Sequence, residues 1–130
     1  MFCHYKSNSR GVAILMKNCA PTIHKCKGTY DGNFLGLDIS LDNIRFSLFT
    51  LYGPNNDSPL FYASVHEIIE EFCNPLNVLC GDWNLILDPT LDMVNYQRVN
   101  NAKARDRVLS MLDALNPCDP WRIFNPSAQS

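Results

Sequence analysis

NFLGLDISLDNIRFSLFTLY, at residues 33–52, holds two apolar-rich runs, 33–41 and 44–52, separated by the polar pair Asp42-Asn43. This is the strongest fold signal in the chain, because Asp-Asn suits a tight two-residue turn between paired strands. In the second run every other residue falls on one face, and Tyr52 is the last of them. The pattern predicts an antiparallel hairpin that aims Tyr52 from the end of a strand.

Further elements are predicted on both sides of the hairpin. Before it, the continuous apolar run 11–16 indicates a short strand covered on both faces. After it, apolar residues at helical spacing indicate helices over 59–73 and 102–115, each followed by an Asn-Pro pair that ends it. Between these helices, 77–82 indicates another buried strand, which ends in the carboxylate of Asp82.

The chain is predicted to be a single domain over residues 1–130 with a layered α/β sandwich fold. At 130 residues and 46% hydrophobic content it is long enough to bury a core. The mixture of helices, an antiparallel hairpin and doubly covered strands favours two mixed, largely antiparallel sheets with outer helices over a simple parallel sheet. Asp57-Ser58 supplies cap candidates for the first helix, and the polar stretch 92–101 is expected to be a loop.

The composition limits the function classes. A formal net charge of -2 gives no global attraction for nucleic acid, so any DNA contact must come from a local basic surface. No segment is long enough to span a bilayer and no export signal begins the chain, so we expect an intracellular protein, not secreted and without a membrane partner. The six cysteines are expected to be free, mostly buried thiols. Cys19, His24 and Cys26 lie close in sequence but lack a second ligand pair at a zinc spacing.

Two motifs carry groups suited to phosphodiester hydrolysis: Leu51-Tyr52-Gly53-Pro54-Asn55 and Gly81-Asp82-Trp83-Asn84. The reaction needs a hard cation on phosphate oxygens, a group that positions or deprotonates water, and donors for the charge that builds on phosphorus. Asp82 at a strand end can take a proton from water or bind Mg²⁺, and Asn84 can orient water or a phosphate oxygen. The alternative is structural: a strand-to-loop junction whose Asp and Asn bond neighbouring amides, beside a half-buried Tyr52 with a solvated hydroxyl.

The order and separation of these motifs resemble the exonuclease-endonuclease-phosphatase superfamily, particularly the apurinic-type endonuclease of LINE-like non-LTR retrotransposons. Ser9-Arg10-Gly11-Val12-Ala13-Ile14-Leu15 resembles the family's Gly-Val-Ala-Ile-Leu strand, and the two motifs above resemble its Tyr-x-Pro-Asn and Gly-Asp-(Phe/Trp)-Asn motifs. Asp119-Pro120-Trp121-Arg122, followed by Pro126, resembles the later Asp-x-aromatic-Arg-x-x-x-Pro segment. The resemblance therefore spans nearly the whole chain.

The resemblance implies a fragment of a DNA endonuclease, a hydrolase that nicks a phosphodiester bond with Mg²⁺ or Mn²⁺ as cofactor. In the family's pattern Asp82 activates the nucleophilic water, Asn84 helps hold that water and the scissile phosphate, and Tyr52 contacts the phosphate. Asp82 and Asn84 would then be the part of the metal site that this sequence contains. Asn55 shapes the same loop, and Trp83 either forms the rim of the groove or packs inside it.

The match to the family is incomplete. The family's upstream asparagine and metal-binding glutamate and its terminal Asp-His pair have no counterpart, since no Glu precedes Glu67 and all three histidines precede Asp82. The glutamates on the first predicted helix fit a solvated face better than a metal site: Glu67, Glu70 and Glu71. Asp119 and Arg122 are expected to form a structural ion pair. We expect a partial domain, incomplete at both ends, that folds marginally and nicks DNA inefficiently alone.

DNA is the expected partner of the complete domain. Backbone phosphates would meet a basic cluster of Arg98, Lys103, Arg105 and Arg107, although a solvated helix surface interrupted by Asp106 is the alternative. In the intact element the same polyprotein would carry a reverse transcriptase domain, and nuclear access is expected. Two other functions stay open: a sugar- or inositol-phosphate phosphatase of the same superfamily, and a non-catalytic binding protein that keeps the scaffold without the chemistry.

Overall fold

The computed structural model describes residues 2–3, 11–92 and 101–127. The strands are β1 Phe2–Cys3, β2 Val12–Ala13, β3 Thr22–Gly28, β4 Phe34–Leu41, β5 Ile44–Tyr52 and β6 Asn77–Asp82. The helices are α1 Pro59–Phe72, α2 Pro89–Asp92, α3 Ala102–Leu115 and α4 Pro120–Phe124. The chain divides into two compact units, Met1–Gly53 with Ser64–Trp83 and Pro54–Ala63 with Asn84–Ser130. Most of the predicted loop at 92–101, including Arg98, lies outside the described residues.

The first unit contains a mixed four-stranded sheet with the strand order β3-β4-β5-β6. β3, β4 and β5 are antiparallel to their neighbours, whereas β6 runs parallel to β5 after the chain crosses over through α1. β1 and β2 form a separate antiparallel pair. The described residues therefore form a mixed α/β fold, which confirms the α/β part of the predicted class.

The predicted hairpin is present with the predicted turn. β4 and β5 pair from Leu41↔Ile44 at the turn to Phe34↔Leu51 at the open end. Asp42 and Asn43 both adopt a positive φ, 49° and 64°. Two consecutive left-handed residues make the turn whose twist matches a β-hairpin, and Asp and Asn tolerate that conformation better than other residues with side chains.

One face of this hairpin packs against α1. Alternation places Phe34, Gly36 and Phe49 on that face, and the Phe49 ring meets the Phe72 ring edge to face at a centroid distance of 5.0 Å. A Cβ at Gly36 would lie 2.9 Å from the Phe49 ring and 3.0 Å from the Phe72 ring. The absence of a side chain at Gly36 therefore lets the two aromatic rings close over the strand.

The opposite face of the hairpin forms a second apolar cluster. Leu35, Leu37 and Ile39 are fully buried, and Ile14 from the segment after β2 covers them. The partly buried side chains packed on this cluster are Val12, Met16, Phe46 and Leu48. Both faces of β4 are therefore covered, which makes β4 the centre of the first unit.

Two strands are less buried than their apolar sequences predict. The expected strand at 11–16 is regular only at Val12–Ala13, and Leu15 is 76% exposed, so the prediction of a strand covered on both faces was wrong. β6 was expected to be buried, yet Val78 is 48% exposed and only Leu79 is half-buried. β6 is the last strand of the described sheet, and its edge position overrides the apolar sequence.

The cysteines are also more accessible than predicted. Cys19, Cys26, Cys73, Cys80 and Cys118 are thiols and not disulfides, as expected, but all are exposed. Cys26 lies on the edge strand β3 and Cys80 on the edge strand β6. For Cys80 an apolar sequence context therefore did not imply burial, because an edge strand has a neighbour on one side only.

The predicted helices are confirmed within one residue. α1 ends where Cys73 turns left-handed at φ 52°, and α3 spans the predicted 102–115. Asn116, also left-handed, donates its backbone N–H to the carbonyl of Leu112 and so closes the last turn of α3. No helix of the described residues is long and apolar enough to cross a membrane.

Asp57 caps the first turn of α3 in the second unit. Its carboxylate accepts the backbone N–H groups of Lys103 at 3.3 Å and Ala104 at 2.7 Å, which belong to the first turn of α3. Asn101, the residue at the N-cap position, is left-handed and makes no side-chain cap. The sequence prediction assigned Asp57 to the start of α1. Its carboxylate instead accepts from the backbone of Lys103, 46 positions later in the chain, and local sequence spacing cannot reveal such a contact.

A polar cluster is buried on the α1 side of the hairpin near its turn. Asp38 is 5% exposed, and the Arg45 guanidinium donates to both of its carboxylate oxygens at 3.0 and 2.7 Å. Ser47, which is fully buried, accepts a hydrogen bond from the Asn74 amide at 2.9 Å. Hydrogen bonding from Arg45, reinforced by Asn74, lowers the pKa of Asp38 to about 2 although burial opposes that shift.

We expect this ion pair to make stability depend on acid. A carboxylate with a lowered folded-state pKa stabilises the fold above its unfolded value, near 3.8, and loses that contribution as pH falls through about 2. The free energy of unfolding should therefore drop by roughly 2 kcal/mol between pH 4 and pH 2 because of this group. Urea unfolding of the wild type and Asp38→Asn across that range measures it; a stability difference that does not shrink with falling pH would contradict the prediction.

We also expect Asp57→Ala to destabilise the second unit. Removing a carboxylate that satisfies two helical N–H groups should cost about 1 kcal/mol, whereas Asp57→Asn keeps one acceptor and should cost less. Asp113→Ala, an exposed carboxylate on the same helix, is the matched control and should cost little. Thermal unfolding followed by circular dichroism compares the three variants; equal loss in Asp57→Ala and Asp113→Ala would remove the capping role.

Candidate functional site

The parallel pair β5–β6 brings the two strongest candidate residues together. Tyr52 and Asp82 are direct register partners at the ends of their strands, and the Gly53 N–H donates to the Asp82 carbonyl at 2.7 Å. Register partners point to the same face of a sheet, and the backbones of adjacent strands lie about 4.8 Å apart. A half-buried phenol and an exposed carboxylate therefore stand side by side. The sequence predicted both strand ends, but it did not predict that the two strands are neighbours.

Gly81 allows β6 to lie close to the backbone of β5. Its φ is 134°, and a Cβ there would overlap the Leu51 carbonyl oxygen and lie 2.8 Å from the Leu51 nitrogen. Real Cβ atoms do not come so close to backbone atoms, so only glycine fits between β5 and the carboxylate that follows. The sequence interpretation that Gly81 lets the backbone pass close to the candidate residues agrees with this geometry.

Tyr52 and Asp82 form a row of side chains on neighbouring strands, and Asn33 extends this row on the other side of Tyr52. The Tyr52 N–H donates to the Asn33 carbonyl at 2.8 Å, one step beyond the last register pair of β4 and β5. Sequence reasoning missed Asn33, although counting outward from the Asp42-Asn43 turn pairs residue 33 with residue 52. The carboxylate of Asp31 accepts from the Asn33 backbone N–H at 3.2 Å and from its side-chain Nδ2 at 3.4 Å.

The other predicted site residues are distributed between the two units. Trp83 is half-buried and belongs to the first unit, whereas Asn55 and Asn84 belong to the second. Asn84 is half-buried and left-handed at φ 51°. Asn55 is exposed, and its carbonyl accepts from the Asn101 side chain at 3.2 Å. Their roles in one site remain predictions.

The basic cluster on α3 is only partly accessible. Lys103 is exposed, whereas Arg105 and Arg107 are half-buried. Arg105 donates from Nε to the Leu87 carbonyl at 3.3 Å, which ties α3 to the segment before α2. Arg105 therefore has a structural partner within the second unit. Arg98 and the side chain of Arg122 lie outside the described residues, so the predicted contact of Arg98 with DNA and the predicted Asp119–Arg122 ion pair remain predictions.

The glutamates of α1 lie on its exposed side, as the solvated-face interpretation predicted. Glu71 accepts from the Lys27 ammonium at 2.7 Å, and this hydrogen bond lowers the pKa of Glu71. The Lys25 ammonium lies 4.6 Å from the centre of the Phe72 ring and 3.8 Å from Glu71. These contacts fasten the edge strand β3 to α1 and give Glu71 a structural role.

A metal at the Tyr52–Asp82 row would depend on few protein ligands. Among the described residues no three His, Cys, Asp or Glu side chains converge as a metal-binding group. Mg²⁺ often keeps several waters and uses one or two carboxylates, so a single carboxylate fits a largely hydrated ion and not a closed protein cage. No protein-family model matches this chain.

We expect Gly81→Ala to disrupt the row. A methyl group overlapping the Leu51 carbonyl forces β5 and β6 apart, and the positive φ adds strain, so the loss of stability should be at least about 3 kcal/mol. Gly28→Ala is the matched control, because Gly28 is exposed at the end of β3 and does not have a positive φ. Urea unfolding compares the two; a similar small effect for both would mean that the close approach at Gly81 is not required.

Proposed function

We propose that this chain carries the central part of a metal-dependent endonuclease of the exonuclease-endonuclease-phosphatase type, related to the apurinic-type endonucleases of LINE-like non-LTR retrotransposons. The observation that carries the proposal is the row formed by Tyr52 and Asp82. These residues come from two motifs separated by about 30 positions, and the order of those motifs is what resembles the family. Adjacent parallel strands, joined through a helix, bring them to one sheet edge.

The Tyr52–Asp82 row suits phosphodiester hydrolysis. Two side chains on neighbouring strands about 4.8 Å apart can both hydrogen-bond one water or phosphate oxygen, each at about 2.8 Å. The Asp82 carboxylate accepts a proton from water and so orients it for attack. The Tyr52 phenol donates to a phosphate oxygen, whose negative charge increases as the bond to water forms. The exposure of Asp82 leaves this row open to a large substrate.

The cofactor of the proposed reaction is Mg²⁺ or Mn²⁺. Asp82 would hold it through a carboxylate oxygen, and the assignment of Asn84 as a further ligand rests on the resemblance. When bound, such an ion supplies Lewis-acid stabilisation of the phosphate charge and lowers the pKa of a coordinated water. With a single carboxylate at the row, we propose that the chain by itself binds metal weakly and nicks DNA slowly.

The sandwich architecture also belongs to this proposal. The face of the sheet formed by Leu35, Leu37 and Ile39 is covered by the segment after β2, while Ile44 and Val78 remain about half exposed. We infer that a second sheet covers this face, with the β1–β2 pair as its described part. Exposed apolar side chains at a sheet edge are the surface that such a sheet would bury.

The proposed partner is DNA. In an intact element the same polyprotein would also carry a reverse transcriptase domain, and the protein would enter the nucleus. The net charge of -2 means that phosphate contacts have to be local. Lys103 is the exposed cation of α3 that is available for such a contact. Arg105, which already bonds a carbonyl, is the less suitable one.

A binding experiment tests the proposed site without requiring turnover. Amide chemical shifts of the labelled chain are followed as a short DNA duplex is added with Mg²⁺, and the largest changes should fall at residues 52 and 82. Asp82→Asn should abolish the dependence of these changes on Mg²⁺. Asp42→Asn, which removes the same charge at the opposite end of the hairpin and tolerates the positive φ there, should leave them unchanged. Identical titrations for the two variants would exclude the site.

Plasmid nicking tests the chemistry itself. Supercoiled plasmid incubated with Mg²⁺ and excess protein should be nicked slowly, and Asp82→Ala should remove whatever nicking occurs, by at least tenfold. Tyr52→Phe, which keeps the ring and removes one donor, should reduce the rate by a smaller factor. Fast nicking abolished by Asp82→Ala would support the endonuclease and overturn the proposal that the isolated chain is inefficient. Nicking that persists unchanged in Asp82→Ala would come from another source.

A further inference from the structure

Asn33, Tyr52 and Asp82 form a row across three adjacent strands. The Tyr52 N–H bonds the Asn33 carbonyl on one side, and Tyr52 and Asp82 are register partners on the other. Alternation from Leu35 puts the Asn33 side chain on the same face as Tyr52, because the hydrogen bond to Tyr52 continues the β4–β5 ladder by one residue. An amide, a phenol and a carboxylate therefore occupy consecutive positions along one sheet edge.

The orientation of the Asn33 amide is fixed by its neighbour. Nδ2 of Asn33 lies 3.4 Å from one carboxylate oxygen of Asp31, and the other oxygen accepts from the Asn33 backbone N–H and from the Thr29 hydroxyl. An ionised carboxylate only accepts hydrogen bonds, so the amide group that faces Asp31 has to be the NH₂. The amide oxygen of Asn33 consequently points away from Asp31.

That amide oxygen is buried and has no hydrogen-bond partner among the described residues. Buried acceptors in folded proteins almost always have a donor, and a donor absent from the protein is supplied by water, an ion or a ligand. Only a donor or a cation can fill the position, so a bare phosphate oxygen does not fit it. The carboxylate of Asp82 lies two strands away, at about twice the 4.8 Å strand spacing, and its charge favours a cation or its hydration water over an anion.

We propose that Asn33 is a positioning residue of the Tyr52–Asp82 site. Its amide oxygen accepts a hydrogen bond from a water in the hydration shell of a divalent cation attracted by Asp82, and this bond orients the water beside Tyr52. The inference rests on the proposed function, because it concerns the same metal-dependent site. It adds a residue that none of the recognised motifs contains, contributed by the strand that precedes Tyr52 in the hairpin.

The test uses Mn²⁺ as the probe and line broadening in the spectrum of the labelled chain as the readout. At low Mn²⁺ the signals of the Asn33 side-chain amide and of residues 52 and 82 should broaden first. The side-chain amide of Asn43, at the hairpin turn and about 30 Å from Tyr52 along β5, is the internal control and should stay sharp. Uniform broadening of both amides would mean that the ion does not prefer this edge.

Asn33→Leu separates positioning from a structural role. It removes the acceptor and also the Nδ2 donor that faces Asp31. Mn²⁺ affinity should therefore fall about fivefold while stability changes little, because losing a buried acceptor without a protein partner offsets losing that long hydrogen bond. A residue with only a structural role would instead lower stability and leave Mn²⁺ affinity unchanged. Asn33→Ser, which restores a shorter acceptor, should recover part of the affinity.

The outcomes distinguish this inference from the proposed function. If Asp82→Asn abolishes the local broadening and Asn33→Leu leaves Mn²⁺ affinity unchanged, the role of Asn33 is overturned and the proposed metal site stands. If neither variant changes the broadening, both fail. Loss of affinity in both variants, with Asn33→Leu as stable as the wild type in urea, supports both.

Discussion

The pairing of β4 with β5 is the constraint on which the rest of the first unit depends. The two-residue turn at Asp42-Asn43 fixes its register, and a slip by one residue would exchange the two faces of both strands. With this register, Phe34, Gly36 and Phe49 face α1 while Leu35, Leu37 and Ile39 form the other cluster. β3 pairs with β4, and β6 pairs with β5. The hairpin therefore positions both of the other strands of this sheet.

The α1 face combines close packing with one buried charge. Gly36 lets the rings of Phe49 and Phe72 close over the strand, and Ser47 and Asn74 connect β5 with the segment after α1. Asp38 is stable as a buried carboxylate because Arg45 donates to both of its oxygens. These contacts hold α1 on the sheet, and the chain that leaves α1 then adds β6 parallel to β5.

The candidate site follows from that parallel addition. Gly81 allows β6 to approach Leu51, and the next residue, Asp82, is brought level with Tyr52. Asn33 joins the row because the same hairpin register that orders the core continues one residue beyond Phe34. The core and the Asn33–Tyr52 part of the row thus follow from one hydrogen-bonded ladder, and Asp82 is added by the parallel ladder of β5 and β6.

The sequence by itself determined the local elements: the hairpin and its turn, the extents of α1 and α3, and the strand ends at Tyr52 and Asp82, since alternation, helical spacing and turn residues are local signals. Beyond the hairpin pair, tertiary structure alone decided which strands are neighbours. The exposure of β6 and of its Cys80, the use of Asp57 by α3, and the place of Asn33 beside Tyr52 all depend on it. The physical reason is that burial, capping and strand pairing are contacts between residues distant in sequence, whereas apolar spacing reports only what one segment can present to an unknown neighbour.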